Sequence, residues 1–373
     1  MKPKLRFNDF ESEYYNCTLN DITEIIKDGT HGTHENIFNG IPLLSAKDIY
    51  DNMIHIPEYC RKISIEDYKK IYNNYQLKEN DILMTIVGTI GRTALYKNEN
   101  VAFQRSVATI RIDNKNNPNY VRNYLESSKV SNQLNNMTNS SAQGGIYLNS
   151  LSKIKLSLPS KEEQSKISNF LSLLDKKIKL QSKKIEDLKL FKLCIMKQEF
   201  TSDNVSNKVK IKDIAIIEKG KQVNGELLLD IGNYYMLNGG INPSGYLNEY
   251  NRNKNTITIS EGGNSCGYVS FNKRKFWCGG HCYSITPINI NNEYLYQILK
   301  YNEKVIMDLR VGSGLPNIQK KDLENLTLKI HNSNEQIRIS ENLSKYDFKI
   351  ELEEKYLILL QKLKKGLMQN MFV

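Results

Sequence analysis

Hydrophobic residues recur in a four-three alternation along two stretches of the chain, residues 163–200 and 335–372. This spacing marks the a and d positions of a heptad, and neither stretch contains proline. The alternating positions are Ile167, Leu171, Leu174, Ile178, Ile185, Leu188 and Ile195, then Ile339, Leu343, Tyr346, Ile350, Leu357, Leu360 and Leu367. We therefore predict two long helices that pack on each other as a coiled coil. The alternative is two independent surface helices, each packed on its own domain.

The two stretches are copies of each other. A shift of 172 residues aligns them, and 15 of the 38 aligned positions are then identical. Polar residues interrupt the alternation at matching places, Gln181 and Lys192 in the first copy and Glu353 and Lys364 in the second. In an antiparallel pair, Gln181 would donate to the Glu353 carboxylate near the centre, and the lysines would lie towards the ends, reaching water or a carboxylate. Alternatively, these four side chains point outward to a partner.

The remaining chain forms two globular heads with the same predicted order of elements. We place the first head at residues 1–160, its helix at 161–200, a polar linker at 201–208, the second head at 209–333 and its helix at 334–373. The fold class is therefore α+β, with two heads joined by an antiparallel helical pair and an internal pseudo-two-fold symmetry. The heads share their layout but little sequence, so the chain carries two different heads on one repeated frame.

Within each head the pattern predicts an opening helix, strands around a glycine-rich turn, a longer helix, a flexible loop and a short strand leading into the long helix. The predicted helices are residues 19–26 and 120–137 in the first head and residues 212–218 and 293–309 in the second. The predicted strands are residues 41–49, 81–87, 93–96, 106–112 and 156–159 in the first head and residues 256–260, 268–271 and 326–330 in the second. The predicted loops are residues 140–145 and 311–314. Residues 1–13 read as a polar lead-in.

Composition adds little to this picture. The 373-residue chain carries a formal net charge of +11, which suggests an anionic partner such as nucleic acid. Lys, Asn, Ile and Tyr are frequent while Arg is scarce, which AT-rich codon usage would also produce. The six cysteines are irregularly placed, and we find no signal peptide and no apolar run that could span a bilayer. We expect a cytoplasmic protein with reduced thiols and no membrane partner.

Motifs for catalysis or metal binding are weak. Gly88-Thr89-Ile90-Gly91 lacks the spacing and the lysine of a phosphate loop. Asn117-Pro118-Asn119-Tyr120 resembles the Asn-Pro-Pro-Tyr signature of adenine methyltransferases, but it lacks the second proline and reads better as a loop before a helix. Cys266, Cys278, His281 and Cys282 have a spacing that suits a tetrahedral zinc site poorly. We therefore predict no catalytic residue and no metal site.

Polar turns carry the candidate nucleic-acid contacts, since Arg and Gln can bond bidentately to guanine and adenine edges. Arginine is scarce, so individual arginines are more informative than lysines. The candidates in the first head are His31, Thr33, His34, Arg92, Gln104, Arg105 and Ser106, and those in the second are Arg252, Arg274 and His281. We expect His281, Cys282 and Tyr283 to occupy the place that residues 104–106 hold in the first head. The alternative for each is a solvated surface side chain.

The chain resembles the specificity subunits of type I restriction-modification systems. The strongest marks are the two Glu-Gln-x-x-Ile-Ser-x-x-Leu-Ser-x-x-Asp segments at residues 163–175 and 335–347. Asp81-Ile82-Leu83-Met84 with Val87-Gly88-Thr89-Ile90-Gly91 resembles the family's strand-turn signature. Gly312-Ser313-Gly314-Leu315-Pro316 resembles its late loop. His331 replaces the usual proline before the second helix.

The resemblance implies that each head is a target recognition domain that reads one half of a split, asymmetric DNA site. The helices would form a spacer and bind two modification subunits, with Gln164, Ile167, Gln336 and Ile339 as contacts. Those subunits would bind S-adenosylmethionine and methylate adenine N6, and restriction subunits would cleave DNA using ATP and Mg²⁺. This chain would bind double-stranded DNA and no cofactor. The alternatives are a self-contained DNA adenine methyltransferase and a non-catalytic coiled-coil scaffold.

Overall fold

The computed structural model describes residues 2–139, 144–202, 207–312, 314 and 316–373. Most of the predicted loop at 140–145, the middle of the predicted linker at 201–208, and Ser313 and Leu315 lie outside the described residues. The chain divides into two compact units, residues 1–180 with 357–373 and residues 181–356. Each unit therefore contains one head and one half of each long helix.

The first head is built on a four-stranded antiparallel sheet with the order Thr23–Asp28, Val107–Ile112, Ile82–Thr85, Thr93–Leu95. Its other strands are Tyr15–Thr18, Ile41–Leu44, Ile49–Tyr50, Met53–Ile54, Lys62–Ile63, Ala102–Phe103 and Lys155–Leu158. Its helices are Ile65–Ile71, Pro118–Leu125, Ser128–Asn139 and Leu148–Leu151, with 3₁₀ turns at Leu19–Ile22 and Ala46–Asp48. A second sheet places Ile41–Leu44 between Lys62–Ile63 and Ala102–Phe103, the last of which runs parallel to it.

The second head repeats this topology. Its main sheet has the order Ala215–Lys219, Cys282–Pro287, Thr256–Ser260, Val269–Asn272. Its second sheet places Tyr234–Leu237 between Gly245–Leu247 and the parallel strand Trp277–Cys278. The remaining strands are Asn207–Lys210 and Thr327–Ile330, the helices are Ile211–Ile214, Asn292–Tyr301, Glu303–Asp308 and Lys320–Asn325, and a 3₁₀ turn spans Gly225–Leu227. The shared topology and the mixture of helices and strands confirm the predicted α+β class.

Four predicted helices differ from the structure, two in each head. The opening helices at 19–26 and 212–218 are single turns, Leu19–Ile22 and Ile211–Ile214, and the chain then enters the first strand of each main sheet. Asp21 accepts hydrogen bonds from the Thr18 backbone and hydroxyl and closes the first turn. The predicted helices at 120–137 and 293–309 are each divided in two, because the chain leaves helical geometry near Glu126 and Asn302.

The long helices span Lys161–Phe200 and Ser333–Met371, and in each unit their halves run antiparallel. In the second unit, Gln181 Nε2 donates to Glu353 Oε2 at 2.6 Å, and Lys192 Nζ lies 2.6 Å from Asp347 Oδ1. In the first unit, Lys364 Nζ lies 2.5 Å from Asp175 Oδ1, which is the repeat-related copy of the Lys192 pair. These contacts confirm that the interrupting polar residues face the partner helix.

Residues 1–13 were predicted only as a polar lead-in, but they pack on the first long helix together with Tyr14. Arg6 donates two hydrogen bonds to Glu163 at 2.8 and 2.7 Å, and Tyr14 donates to the same carboxylate at 3.0 Å. Phe7 packs edge-on against Phe170 with ring centroids 5.9 Å apart. The Glu163 side chain is fully buried, so these contacts are part of the first unit's core.

Candidate nucleic-acid interface

One backbone framework presents the polar turns of both heads. After the first strand of the main sheet, Gly29 N–H donates to Val107 O at 3.1 Å, and Gly220 N–H donates to Cys282 O at 2.9 Å. Both glycines are required by close approach, since a Cβ would lie 2.1 Å from Phe103 O at Gly29 and 2.2 Å from Gly279 O at Gly220. The turn therefore lies directly against the segment that holds the Arg105 and His281 candidates.

The glycine-rich hairpin also recurs. Ile86 N–H donates to Ser106 O, and Glu261 N–H donates to His281 O, so these two positions are equivalent. Gly91 and Gly267 both adopt positive φ, 91° and 92°, and close the hairpin on the preceding strand. These three loops of each head thus meet at one edge of its main sheet.

This register corrects the predicted correspondence between the heads. Ser106 corresponds to His281, Arg105 corresponds to Gly280 and Gln104 corresponds to Gly279. Val107 and Cys282 each donate a backbone hydrogen bond to the Gln104 or Gly279 carbonyl, which fixes the match. The prediction that residues 281–283 take the place of residues 104–106 was therefore wrong, because the tight turn in the second head is formed by two glycines.

Four candidates in the first head are free to meet a ligand. Thr33, Arg92 and Arg105 are exposed and Gln104 is half-buried. Across the described residues, none of these four side chains has a hydrogen-bond or ion-pair partner. The Arg105 guanidinium keeps all its donors available, which suits recognition of a base edge or a phosphate.

The other three candidates in the first head are engaged within the head. His34 is half-buried, with Nε2 2.7 Å from Thr30 Oγ1 and Nδ1 3.1 Å from Asp67 Oδ2. His31 is exposed, with Nε2 2.6 Å from Asp28 Oδ2. Ser106 Oγ accepts from Ala46 N–H at 3.0 Å. These contacts hold the turn and its neighbouring loops in place, and the exposed edge of His31 is still open to a ligand.

A cleft of about 280 Å³ joins two of these candidates. Asp28, His31, Val87, Arg105 and Tyr147 line it, together with apolar side chains at its floor. The Tyr147 ring is largely exposed, so it offers a flat apolar surface beside a free guanidinium. This combination suits a base or a sugar-phosphate segment.

The candidates in the second head divide in the same way. Arg252 is held by contacts within the second head and is not a free donor. It donates to Ser284 Oγ at 2.7 Å and to Asn251 O at 2.9 Å, and it lies 3.3 Å from Glu218. Arg274 and His281 are exposed, and the His281 ring lies 3.9 Å from Glu261. Only Arg274 and His281 of these three can present donors outward.

Sequence reasoning missed several polar residues at this edge of the second head. Lys221 occupies the position of Thr30, since its N–H donates to Cys278 O as that of Thr30 donates to Phe103 O. Glu261 accepts from Lys219 Nζ at 2.6 Å and from Tyr283 Oη at 3.1 Å. Gly220 and Gly267 occupy the places of Gly29 and Gly91, and these glycines were the available signal of equivalence. The two pairs are separated by different numbers of residues, so the sequence alone does not align them.

The sequence matches the family described as the type I restriction modification DNA specificity domain over residues 11–190 and 204–362. Together these segments cover most of the chain. The chain belongs to this family.

Several known proteins are similar to this family member. A type I specificity subunit of Mycoplasma pneumoniae is 38% identical over 139 residues, which is 36% of this chain and 37% of that protein. The match thus spans little more than a third of that relative. The MjaX specificity subunit of Methanocaldococcus jannaschii is 26% identical over 94% of this chain and 90% of its own. The crystal structure of a type I S subunit from M. genitalium has the same fold, with a TM-score of 0.68 at 18% identity, covering 100% of this chain and 99% of that one.

The four residues predicted to contact partner subunits in this specificity-domain protein are buried. Ile167 and Ile339 lie in the cores of the first and second units. Gln164 accepts from Asn117 N–H at 2.9 Å and donates to Pro159 O at 3.0 Å. Gln336 accepts from Asn291 N–H at 3.2 Å and donates to His331 O at 2.8 Å. These side chains join each head to its helix, and their burial argues against direct contact with another subunit.

Asn117 is a helix cap. Its side chain accepts from the backbone N–H groups of Asn119 and Tyr120 and donates to Ser165 Oγ at 3.2 Å. Pro118 occupies the first helical position, where its fixed φ suits the helix and its missing N–H leaves no hydrogen bond unmade. The segment that resembled a methyltransferase signature therefore caps and starts a helix, which begins at Pro118, two residues earlier than predicted.

The cysteines of the second head do not form one cluster with His281. The Cys278 thiol lies 3.6 Å from the Cys282 carbonyl, while Cys266 donates to Glu261 O at 2.9 Å. A hydrogen bond from Cys282 lowers the pKa of Cys278, and the same bond together with burial raises that of Cys282. Within the described ranges, no three His, Cys, Asp or Glu side chains converge to hold a metal ion. Nor does any described helix combine the length and apolarity needed to cross a membrane.

Proposed function

We propose that this chain is the DNA-recognition subunit of a type I restriction-modification complex and that each head reads one half of a bipartite, asymmetric DNA site. The observation that carries the proposal is the contrast between the heads. Their loops share one backbone framework, yet the equivalent positions hold different residues: Arg105 corresponds to Gly280, Ser106 to His281 and Ile86 to Glu261. Identical frames with different side chains read different sequences, so the two half-sites differ.

The direct test compares adenine methylation across the host genome with and without this gene. We expect one split motif to lose methylation when the gene is deleted. An unchanged methylation pattern would contradict the proposal. Binding of S-adenosylmethionine by the isolated chain would instead favour a self-contained methyltransferase, and DNA binding without sequence preference would favour a scaffold.

Arg105 is the strongest base-reading candidate of the first head. We expect Arg105→Ala to weaken binding to the methylated motif by about 1–3 kcal/mol and to relax specificity at one base pair of one half-site. Gln104 and the exposed His31 ring are further donors at the same edge. The measurement is binding to duplexes in which each base pair of the motif is varied. Lys97→Ala is the control, since that cation is exposed in the same head but lies outside the loops of this edge. Unchanged affinity and specificity in Arg105→Ala would remove this assignment.

The exposed apolar residues of the long helices are the proposed docking surface for modification subunits. The first unit exposes Leu180 and Leu363 by 58% and 53%, and the second exposes their repeat-related counterparts Leu352 and Phe191 by 48% and 53%. Large apolar side chains exposed at equivalent positions of both units fit two copies of one partner. Two modification subunits would therefore bind, one to each unit, and supply S-adenosylmethionine. Restriction subunits would join that complex and supply ATP and Mg²⁺ chemistry.

Charge substitution tests this surface. We expect Leu363→Asp and Phe191→Asp each to remove one modification subunit, and the double variant to remove both, because a buried carboxylate without a partner opposes binding. Native mass spectrometry of the co-expressed complex measures the stoichiometry. Lys362→Asp, a neighbouring exposed polar position, is the control. Two bound subunits in both single variants would contradict the assignment.

A further inference from the structure

Each head presents a large apolar side chain almost entirely to solvent at the same place in its fold. Phe38 is 91% exposed in the first head and Ile231 is 87% exposed in the second. Both lie on the loop that joins the main sheet to the second sheet, three residues before the strands Ile41–Leu44 and Tyr234–Leu237. Isolated exposed apolar residues are common, but recurrence at one topological position in two dissimilar sequences calls for a shared cause.

The equivalence of the two positions follows from backbone pairing. Gln104 N–H donates to Leu44 O, and Gly279 N–H donates to Leu237 O, so Leu44 and Leu237 correspond. Phe38 and Ile231 each lie six residues before that pair. The neighbouring strand aligns in the same way, since Pro42 pairs with Lys62 and Tyr235 pairs with Tyr246.

Both tips are anchored on either side. Before the tip, Asn36 Oδ1 accepts from Lys62 N–H at 2.9 Å, and Leu229 O accepts from Tyr246 N–H at 2.9 Å. After the tip, a Cβ would lie 2.3 Å from Ile63 O at Gly40 and 2.9 Å from Tyr246 Cβ at Gly232. The loop is thus fixed against the second sheet while its apolar side chain projects outward. Such preorganisation lowers the entropy lost when the side chain enters a partner.

The surroundings favour DNA as that partner. The loop of Phe38 begins at Thr30 and carries His31 and Thr33, and the Arg61 guanidinium donates to its His34 carbonyl. The loop of Ile231 begins at Lys221, an exposed lysine at the position of Thr30. Each apolar tip therefore lies on the loop that also supplies donors to the candidate DNA-facing edge of its head.

We propose that Phe38 and Ile231 are apolar wedges, each of which inserts between adjacent base pairs of its own half-site and kinks the duplex. Phe and Ile are side chains that DNA-bending proteins use in this way. Partial unstacking of one step in each half-site would add shape and deformability to the direct reading by Arg105 in the first head and by Arg274 or His281 in the second. The inference rests on the proposed function, since it requires a DNA site for each head.

The test uses the full chain without partner subunits, so that a base displaced by a partner subunit does not contribute to the measured fluorescence. The probe is a duplex with the motif found by methylation mapping, carrying 2-aminopurine at one step at a time. We expect fluorescence to rise at one step in each half-site. Phe38→Ala should abolish the rise in one half-site and Ile231→Ala in the other, each with about tenfold weaker binding. Both side chains are exposed, so truncation leaves the core intact.

Tyr59→Ala is the control, because that ring is 93% exposed in the first head but lies outside the anchored loop. It should leave both fluorescence signals unchanged. Sequence-preferring binding with no fluorescence rise would overturn the wedge and leave the proposed function standing. Absence of any methylated motif that depends on this gene would overturn the proposed function itself. If Phe38→Ala instead weakened assembly with modification subunits and left DNA binding unchanged, the tip would be a protein contact and the proposal would be wrong.

Discussion

At the scale of single residues, the internal repeat identified Gln164 and Gln336 as equivalent positions, and the structure shows which groups they bind. Gln164 and Gln336 each clamp a helix-capping asparagine and the end of a strand through the same pair of hydrogen bonds. The family resemblance had implied that both contact partner subunits. The spacing could not show otherwise, because Asn117 and Asn291 lie more than forty residues upstream and only the folded head brings them to the helix.

The repeat-related glutamates Glu163 and Glu335 provide a test of burial. Glu163 is fully buried and bonded to Arg6, whereas Glu335 is partly exposed and paired with Arg338, which is half exposed. We expect Arg6→Ala to lower the free energy of unfolding of the first unit by about 3–5 kcal/mol, because a buried carboxylate loses its charged partner. Arg338→Ala should lower that of the second unit by at most about 1 kcal/mol. Urea unfolding measures both, and equal losses would show that burial does not separate the two pairs.

At the scale of secondary structure elements, heptad spacing and the internal repeat were enough to predict the long helices and the contact between Gln181 and Glu353. The prediction of opening helices was wrong because a short amphipathic stretch such as residues 19–26 fits a turn followed by a strand equally well. There, pairing of Thr23–Asp28 with Val107–Ile112 decided the outcome. The loop edge was predicted only in part, since matching Arg105 to Gly280 requires the backbone register.

The central pair of the helices supports a prediction on register and pH. Hydrogen bonds from Lys184 and then Gln181 lower the pKa of Glu353 below its ordinary 4.5. Its contribution to stability is therefore present above that value and is lost as pH falls through the folded pKa. We expect Gln181→Leu with Glu353→Leu to be at least as stable at neutral pH, to lose this acid dependence and to tolerate altered half-site spacing.

Thermal unfolding between pH 7 and pH 3, together with methylation of motifs of varied spacing, measures these effects. Lys345→Leu is the control, because this exposed position on the same helix is not among the groups that lower the Glu353 pKa. Unchanged stability and spacing with weaker assembly onto modification subunits would show that the pair acts outward rather than on its partner helix.

At the scale of the whole molecule, each compact unit combines one head with halves of both long helices. The head is attached through residues that recur in both copies, namely the two glutamines and the buried isoleucines Ile167 and Ile339. The side chains that face outward at the loop edges do not recur. The residues that attach each head therefore differ from the residues proposed to read DNA, so a head could be exchanged without altering its attachment.

Exchange of the first head tests this separation. We expect a chimera in which residues 14–160 come from another family member to recognise a new first half-site and to keep the second. Tyr14 donates to Glu163, so a second chimera that retains Tyr14 controls for damage at that junction. The reciprocal exchange of residues 209–332 should change only the other half-site. Mapping adenine methylation across the genome measures all three. Recognition lost in both half-sites, in chimeras whose heads remain folded, would show that the two heads are coupled through the helices.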